Sequence, residues 1–172
     1  MFDLDESLGY NDSILNYERC VMGLDMYLEA ELYVSEYFEG GKEIVADLKK
    51  LDLNKRLKGK QIKKIVVEVG YWWKSNEIHK WFVDNVQDGV DDCKRTYVSR
   101  EQLEELLDIV EYVLADPKSG PELLPTESGF FFGGTDYDSY YMQDLENTKT
   151  ILTEILENPE YNNWDFYYQS SW

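Results

Sequence analysis

Histidine, cysteine and long apolar runs are scarce in this 172-residue sequence. His79 is the only histidine, so a mechanism or a zinc site that needs two histidines is excluded. The two cysteines, Cys20 and Cys93, cannot build a disulfide framework and neither belongs to a CxxC motif, which favours a reducing compartment. No stretch approaches the roughly 18 apolar residues of a membrane span, and no basic and then apolar leader opens the chain. These absences predict a cytoplasmic protein without membrane contact.

Positive charge is also in short supply. Seventeen Lys and Arg stand against 35 Asp and Glu, which gives a formal net charge of −18. Such an imbalance repels phosphate backbones and anionic membranes, so direct binding to nucleic acid or membrane is disfavoured. It favours a basic protein partner, such as one that itself binds nucleic acid, or a metal ion. Acidity that only keeps the protein soluble is an equally good explanation.

The positive charge that is present is concentrated in one segment. Residues 42–64 hold nine Lys and Arg and three acidic residues, a net of +6, so the rest of the chain carries −24. Residues 1–18 contain five acidic residues and no basic one. A solvated basic face that pairs with acidic neighbours, in the same or another copy, explains the basic segment more simply than an anion-docking patch does. Pairing between copies would make the protein a homo-oligomer.

Aromatic residues, in contrast, are abundant. Fourteen Tyr, seven Phe and five Trp make up 15% of the chain, a composition that argues against disorder. A chain of this length can bury a core without a metal or a disulfide. We therefore expect a single folded domain over residues 22–172, preceded by an acidic N-terminal extension over residues 1–21.

Hydrophobic periodicity predicts both strands and helices. Residues 24–35 alternate between apolar and polar side chains, which is typical of a half-buried strand. Ser99 and Gln102 form a capping box at the start of a helix. Further strands are predicted over 62–73, 95–98, 129–134 and 164–168, a short helix after Gly41, and main helices over about 75–87, 99–115 and 138–157. Because no regular βαβ repeat occurs, we predict an α+β fold with a mixed or antiparallel sheet of about four to five strands packed against three main helices.

A candidate ligand site surrounds His79. This residue adjoins the apolar face of its predicted helix, where it could act as a general base, although a structural hydrogen-bonding role at the edge of the core is the more common one. A Cys93–His79 dyad is disfavoured because two neighbouring carboxylates oppose formation of a thiolate. The residues that we expect to line a pocket with His79 are Tyr71, Trp72, Asn76, Asp91, Asp92 and Asp136.

Four aspartates, Asp91, Asp92, Asp136 and Asp138, could converge on Mg²⁺ or Ca²⁺, which prefer oxygen ligands. Their Asp-Asp and Asp-Tyr-Asp spacings are too short to be specific, and helix caps and turns explain them equally well. The glycines that flank Phe130 to Phe132 are not accompanied by the Lys and Ser or Thr of a phosphate loop. We therefore assign no metal, no cofactor and no catalytic residue.

Several motifs together resemble a family of small proteins that are encoded by tailed bacteriophages. These motifs are MGLDMYL at 22–28, GYWWKSN at 70–76, IHKWFV at 78–83, VDDC at 90–93, GFFFG at 129–133 and TDYD at 135–138. The resemblance covers about residues 22–157. It implies a phage origin, and with it the host cytoplasm as location, but no established activity.

Three functions are compatible with these observations. Small acidic phage proteins often antagonise host defence, so the first is a non-enzymatic inhibitor of a basic host protein, of the anti-CRISPR or anti-restriction type, which imitates the charge of a nucleic acid. The second is a small-ligand or nucleotide-binding protein, or an enzyme, with its pocket around His79. The third is a self-assembling structural protein. We favour the first because the charge is extreme and no catalytic motif is present.

Overall fold

The computed structural model describes residues 23–37, 41–51, 57–58 and 60–172. The predicted acidic extension and part of the basic segment lie outside these residues. Among the described residues, no helix is long and apolar enough to cross a lipid bilayer.

Four strands form one antiparallel sheet in the order β2-β1-β4-β3. They are β1 (Asp25–Tyr33), β2 (Lys64–Trp73), β3 (Thr96–Val98) and β4 (Asp165–Ser171). The alternation predicted over residues 24–35 is confirmed as far as Ala30, because Met26, Leu28 and Ala30 are fully buried whereas the residues between them are partly exposed. It breaks at the next two positions, where Glu31 is buried and Leu32 is partly exposed. Successive side chains of a strand point to opposite faces, so one face of the sheet carries the core.

Five α-helices are present among the described residues. They are α1 (Gly41–Lys50), α2 (Asn76–Val86), α3 (Arg100–Ala115), the single turn α4 (Gly120–Leu123) and α5 (Ser139–Glu157). Helices α2, α3 and α5 are the three main helices, and with the sheet they confirm the predicted α+β fold.

The core lies between the sheet and the main helices. Helix α5 contributes one face to this core, with five buried residues at helical spacing, Tyr141, Leu145, Thr148, Leu152 and Ile155. Trp72 is also part of this core, where its indole Nε1 donates a hydrogen bond of 2.9 Å to Thr148 Oγ1. This bond satisfies the buried N–H and ties β2 to α5.

The strand predicted over residues 129–134 is wrong. This segment turns within an irregular loop between α4 and α5, and two of its residues have left-handed backbones, Phe131 at φ 68° and Gly133 at φ 95°. A strand requires extended φ and ψ throughout, so these two residues prevent one. Of the three aromatic rings, Phe130 is 84% exposed and only Phe132 is buried.

Candidate functional site

His79 is buried in the middle of a hydrogen-bond network. Its side chain is 1% exposed, with Nδ1 2.7 Å from the hydroxyl of Tyr168 and Nε2 3.1 Å from Oδ2 of Asp91. Burial and the charge of Asp91 raise the pKa of Tyr168 well above its ordinary value, so its hydroxyl keeps its proton and can donate it to Nδ1. Nε2–H then donates to Asp91. With both nitrogens occupied, no ring nitrogen is left to activate Cys93.

The network continues to the last residue of the sequence. Trp172 Nε1 donates a hydrogen bond of 3.1 Å to Oδ1 of Asp91. Four side chains, Tyr168, His79, Asp91 and Trp172, thus connect β4, α2, the loop before β3 and the C-terminal residue. Buried polar groups that are satisfied in this way rigidify a structure, and the arrangement agrees with a structural role for His79.

The other residues predicted to share a pocket with His79 do not surround one common space. Tyr71 and Trp72 are consecutive in β2 and point to opposite faces of the sheet, so they cannot line the same pocket. Tyr71 donates to the carboxylate of Asp25, and its ring lies 5.5 Å from that of Tyr27. Asp92 forms an ion pair with Lys94.

Asn76 and Asp136 line a separate cleft of about 430 Å³. It lies between the turn that precedes α2, the loop over residues 126–138 and the first turns of α5. The carboxamide of Asn76 builds one side of this cleft, because Nδ2 donates to the carbonyls of Phe132 (3.1 Å) and Gly134 (2.8 Å) and Oδ1 accepts from the amide of Glu127 (2.8 Å). One buried side chain therefore fixes the loop at three points.

Glu77 is the residue of this cleft that sequence reasoning missed. It lines the cleft, is only 2% exposed, and its Oε1 has no hydrogen-bond partner. Burial, with a contribution from the nearby carboxylate of Asp144, raises the pKa of Glu77 to about 8. Burial also raises the pKa of Asp144, although Ser75 donates a hydrogen bond to it. The sequence did contain a signal, since Glu77 precedes the core residue Trp81 by four positions and so shares its helix face.

The four aspartates considered as cation ligands have separate roles. Asp91 accepts from His79 and Trp172, and Asp92 pairs with Lys94. Asp138 caps α5 by accepting from the amides of Tyr140 (2.8 Å) and Tyr141 (3.3 Å), and Asp136 is exposed at the cleft. No three His, Cys, Asp or Glu side chains of the described residues are arranged to hold a metal ion.

A second surface feature is a set of acidic side chains on α3, which we name the α3 acidic stripe. It consists of Glu101, Glu104, Glu105, Asp108 and Glu111, all of them exposed. They occupy an arc of about 120° and span about 15 Å along the helix axis. Their mean axial spacing of just under about 4 Å is close to the roughly 3.4 Å between phosphates along one DNA strand.

Little positive charge offsets this stripe. Residues 101–172 contain 16 acidic and two basic residues, a net of −14. Arg100 pairs with Glu104 at 3.6 Å and Lys149 with Glu111 at 3.0 Å, but such exposed pairs are weak and strongly screened. Within the described ranges, the other three members of the stripe form no ion pair.

No protein-family model, curated protein or solved structure matches this chain.

Proposed function

We propose that this chain is a bacteriophage-encoded acidic protein that binds and inhibits a basic host protein in the host cytoplasm. The normal ligand of that host protein would be a nucleic acid, as it is for restriction and CRISPR nucleases. The observation that carries the proposal is the α3 acidic stripe, whose charge spacing resembles that of a phosphate backbone. The resemblance to tailed-phage proteins supports the phage origin.

The stripe stands on a rigid support. Helix α3 begins with a complete capping box, and its opposite face buries Leu103, Leu106, Val110 and Val113 in the core. The carboxylates therefore project from a helix that does not have to be ordered when a partner binds. Charges that are fixed in advance speed up encounter and lower the entropic cost of association.

The clustering of the charge favours binding over simple solubility. A surface that only keeps a protein soluble intersperses both signs of charge. On α3, acidic residues instead face each other at helical spacings, as Glu101 does with Glu105, and the last turn of the helix holds no basic residue. Like charges at these spacings destabilise a helix, so the arrangement has a cost that solubility alone does not require.

The test captures a partner, asks whether duplex DNA displaces it, and compares a stripe variant with a charge-matched control. The immobilised full chain captures proteins from a bacterial lysate at low salt, and each captured protein is then assayed separately for affinity at several salt concentrations. We expect a partner whose affinity falls steeply with salt and that duplex DNA displaces. Neutralising the stripe with Glu101→Gln, Glu104→Gln, Glu105→Gln and Asp108→Asn should remove most of the binding.

The control removes the same charge elsewhere, with Glu43→Gln, Glu68→Gln, Asp88→Asn and Glu122→Gln, all at exposed positions. It should keep most of the affinity. Binding that ignores salt and DNA, or an equal loss in both variants, would contradict the proposal. Light scattering at low and high salt tests the competing third function, because self-association that the stripe variant abolishes would make a second copy of the chain the partner.

A further inference from the structure

The cleft beside Glu77 has the size and composition of a ligand site. Its volume of about 430 Å³ falls in the usual range for small-molecule pockets. One cationic side chain, Lys74, lines it, and its Nζ lies 4.4 Å from the centre of the Trp73 ring. The carboxyl groups among its lining residues are those of Glu77, Asp136, Asp138 and Asp144.

The loop that encloses the cleft is fixed by specific contacts. Besides the three hydrogen bonds of Asn76, the Thr126 hydroxyl donates 3.0 Å to the carbonyl of Thr135. Gly133 adopts φ 95°, and a Cβ there would lie 3.2 Å from both Cβ and the carbonyl oxygen of Lys74. A side chain at position 133 would therefore be strained at this φ and would press against Lys74, in the turn before α2. The cleft is a built feature of the fold.

The unpartnered oxygen of Glu77 is the observation that points to a ligand. Buried side-chain oxygens in native proteins nearly always have a hydrogen-bond partner, and an exception calls for an explanation. Glu77 Oε1 has none among the described residues, although the side chain is almost completely buried and lines the cleft. A hydrogen-bond donor that enters the cleft would supply the missing bond.

We propose that this cleft binds a guanidinium or ammonium group, which donates to Glu77. Four carboxyl groups against one lysine select a positive ligand, and the exposed rings of Trp73 and Tyr140 are the aromatic groups on which a flat cation can stack. A metal ion suits the cleft less well, because no three carboxylates of the described residues are arranged for one. The site does not depend on the α3 acidic stripe.

Binding should be coupled to loss of a proton. The titratable groups that line the cleft with Glu77 are Tyr140, Tyr141 and Asp144 of α5, Asp136 and Asp138 of the loop, and Lys74 before α2. Because the pKa of Glu77 is raised to about 8, its carboxyl is mostly protonated at neutral pH, and a cation replaces that proton. The affinity should therefore increase as the pH rises towards 8.

Calorimetric titration with a matched pair of probes tests the proposal. n-Butylguanidinium keeps its charge at every pH used, whereas n-butylurea has nearly the same shape and no charge. We expect saturable binding of the cation with release of a proton, which titrations in buffers of different ionisation enthalpy measure, and no binding of the urea. Glu77→Gln should lower the affinity for the cation by about tenfold or more and abolish the proton release. Glu43→Gln, an exposed change of equal charge, should do neither.

Two further arms complete the experiment. A short peptide with one internal arginine identifies the source of the cation, because tighter binding than n-butylguanidinium indicates a protein side chain and weaker binding a small molecule. Asp136→Asn, at the exposed edge of the cleft, cannot disturb the core. It should lower the affinity for the cation by less than Glu77→Gln does. Absence of saturable cation binding, equal binding of n-butylurea, or unchanged affinity in Glu77→Gln would overturn the proposal. None of these results depends on whether the α3 acidic stripe binds a host protein.

Discussion

At the scale of single residues, Glu77 has the most consequential environment in the described structure. The pKa of its carboxyl is raised from 4.5 to about 8 by burial, so the folded state holds the proton more tightly than the unfolded state does. Between those two values the unfolded chain releases the proton first. The free energy of unfolding therefore falls as the pH rises from about 4.5 to 8, because ionisation increasingly favours the unfolded state.

Glu77→Gln should remove this decline, since the amide is neutral at every pH and similar in shape to the protonated acid. We expect the variant to be more stable than the parent at pH 8, with a difference that shrinks by at most about 1.4 kcal/mol for each pH unit towards acid. Urea unfolding in amine-free buffers across this range measures it. Parallel stability curves for parent and variant would show that Glu77 is not buried as the acid, and Glu43→Gln supplies the control.

The sequence could not predict contacts between residues that are far apart along the chain. The position of His79 beside an apolar helix face could be anticipated, but its partner Tyr168 lies 89 residues away and Trp172 lies at the last position. Such pairs depend on the order of the strands and on which loop covers the core. The buried face of a single helix or strand, in contrast, follows from its own spacing.

At the scale of elements, prediction succeeded where local chemistry and periodicity agree. Strand β1 and the buried face of α5 follow from periods of two and 3.6 residues. The strand predicted over residues 129–134 was wrong because three consecutive aromatic residues show neither the period of a strand nor that of a helix. The shape of this segment is imposed instead by Asn76, more than 50 residues earlier in the chain, whose carboxamide holds two of its carbonyls.

The capping box of α3 allows a prediction at this scale. Ser99 Oγ accepts from the amide of Gln102 at 3.2 Å, and Gln102 Oε1 accepts from the amide of Ser99 at 2.9 Å. Ser99→Ala should lower the free energy of unfolding by about 1 kcal/mol, because one amide of the first turn loses its acceptor. Ser99→Asp, which retains an acceptor, should stay close to the parent in the same urea titration.

Gln102 makes a second contact outside the capping box, so the contribution of the cap can be distinguished from that of packing between helices. Its Nε2 donates 2.7 Å to the carbonyl of Asn85 and so connects α3 with the end of α2. Gln102→Ala should therefore cost more than Ser99→Ala, and the double variant should cost less than the sum, since both changes break the same box. Strictly additive effects would show that the two side chains act independently.

At the scale of the whole molecule, the acidic charge is unevenly distributed. The formal charge of −18 combines a segment of +6 with a remainder of −24, and residues 101–172 account for −14 of that remainder. Composition reveals this imbalance, but only the fold shows that five carboxylates align along one exposed side of α3. Unfavourable local arrangements, such as like charges at helical spacing, are typical of functional surfaces when nothing else in the fold compensates for them.

The same argument predicts how stability responds to salt. Self-repulsion weakens a highly charged fold, so raising NaCl from about 0.01 M to 0.15 M, which shortens the Debye length from about 30 to 8 Å, should raise the melting temperature. The variant Glu101→Gln, Glu104→Gln, Glu105→Gln and Asp108→Asn removes like-charge pairs at helical spacing. It should be more stable than the parent at low salt and respond less to NaCl, although the gain is reduced because Glu101 is stabilised at the start of the helix and Glu104 by Arg100.

The charge-matched control with Glu43→Gln, Glu68→Gln, Asp88→Asn and Glu122→Gln distinguishes a local cause from a global one. Glu43, Glu68 and Glu122 lie on α1, β2 and α4, and Asp88 lies in the turn after α2. Neutralising them therefore lowers the net charge without relieving neighbours on a helix. If the control gains as much stability as the α3 variant, the repulsion arises from the net charge of the whole protein, and the carboxylates of α3 do not destabilise it more than others do. If only the α3 variant gains, the stripe destabilises the protein where it stands, and a destabilising feature on an otherwise well-capped helix is best explained by a partner that requires it.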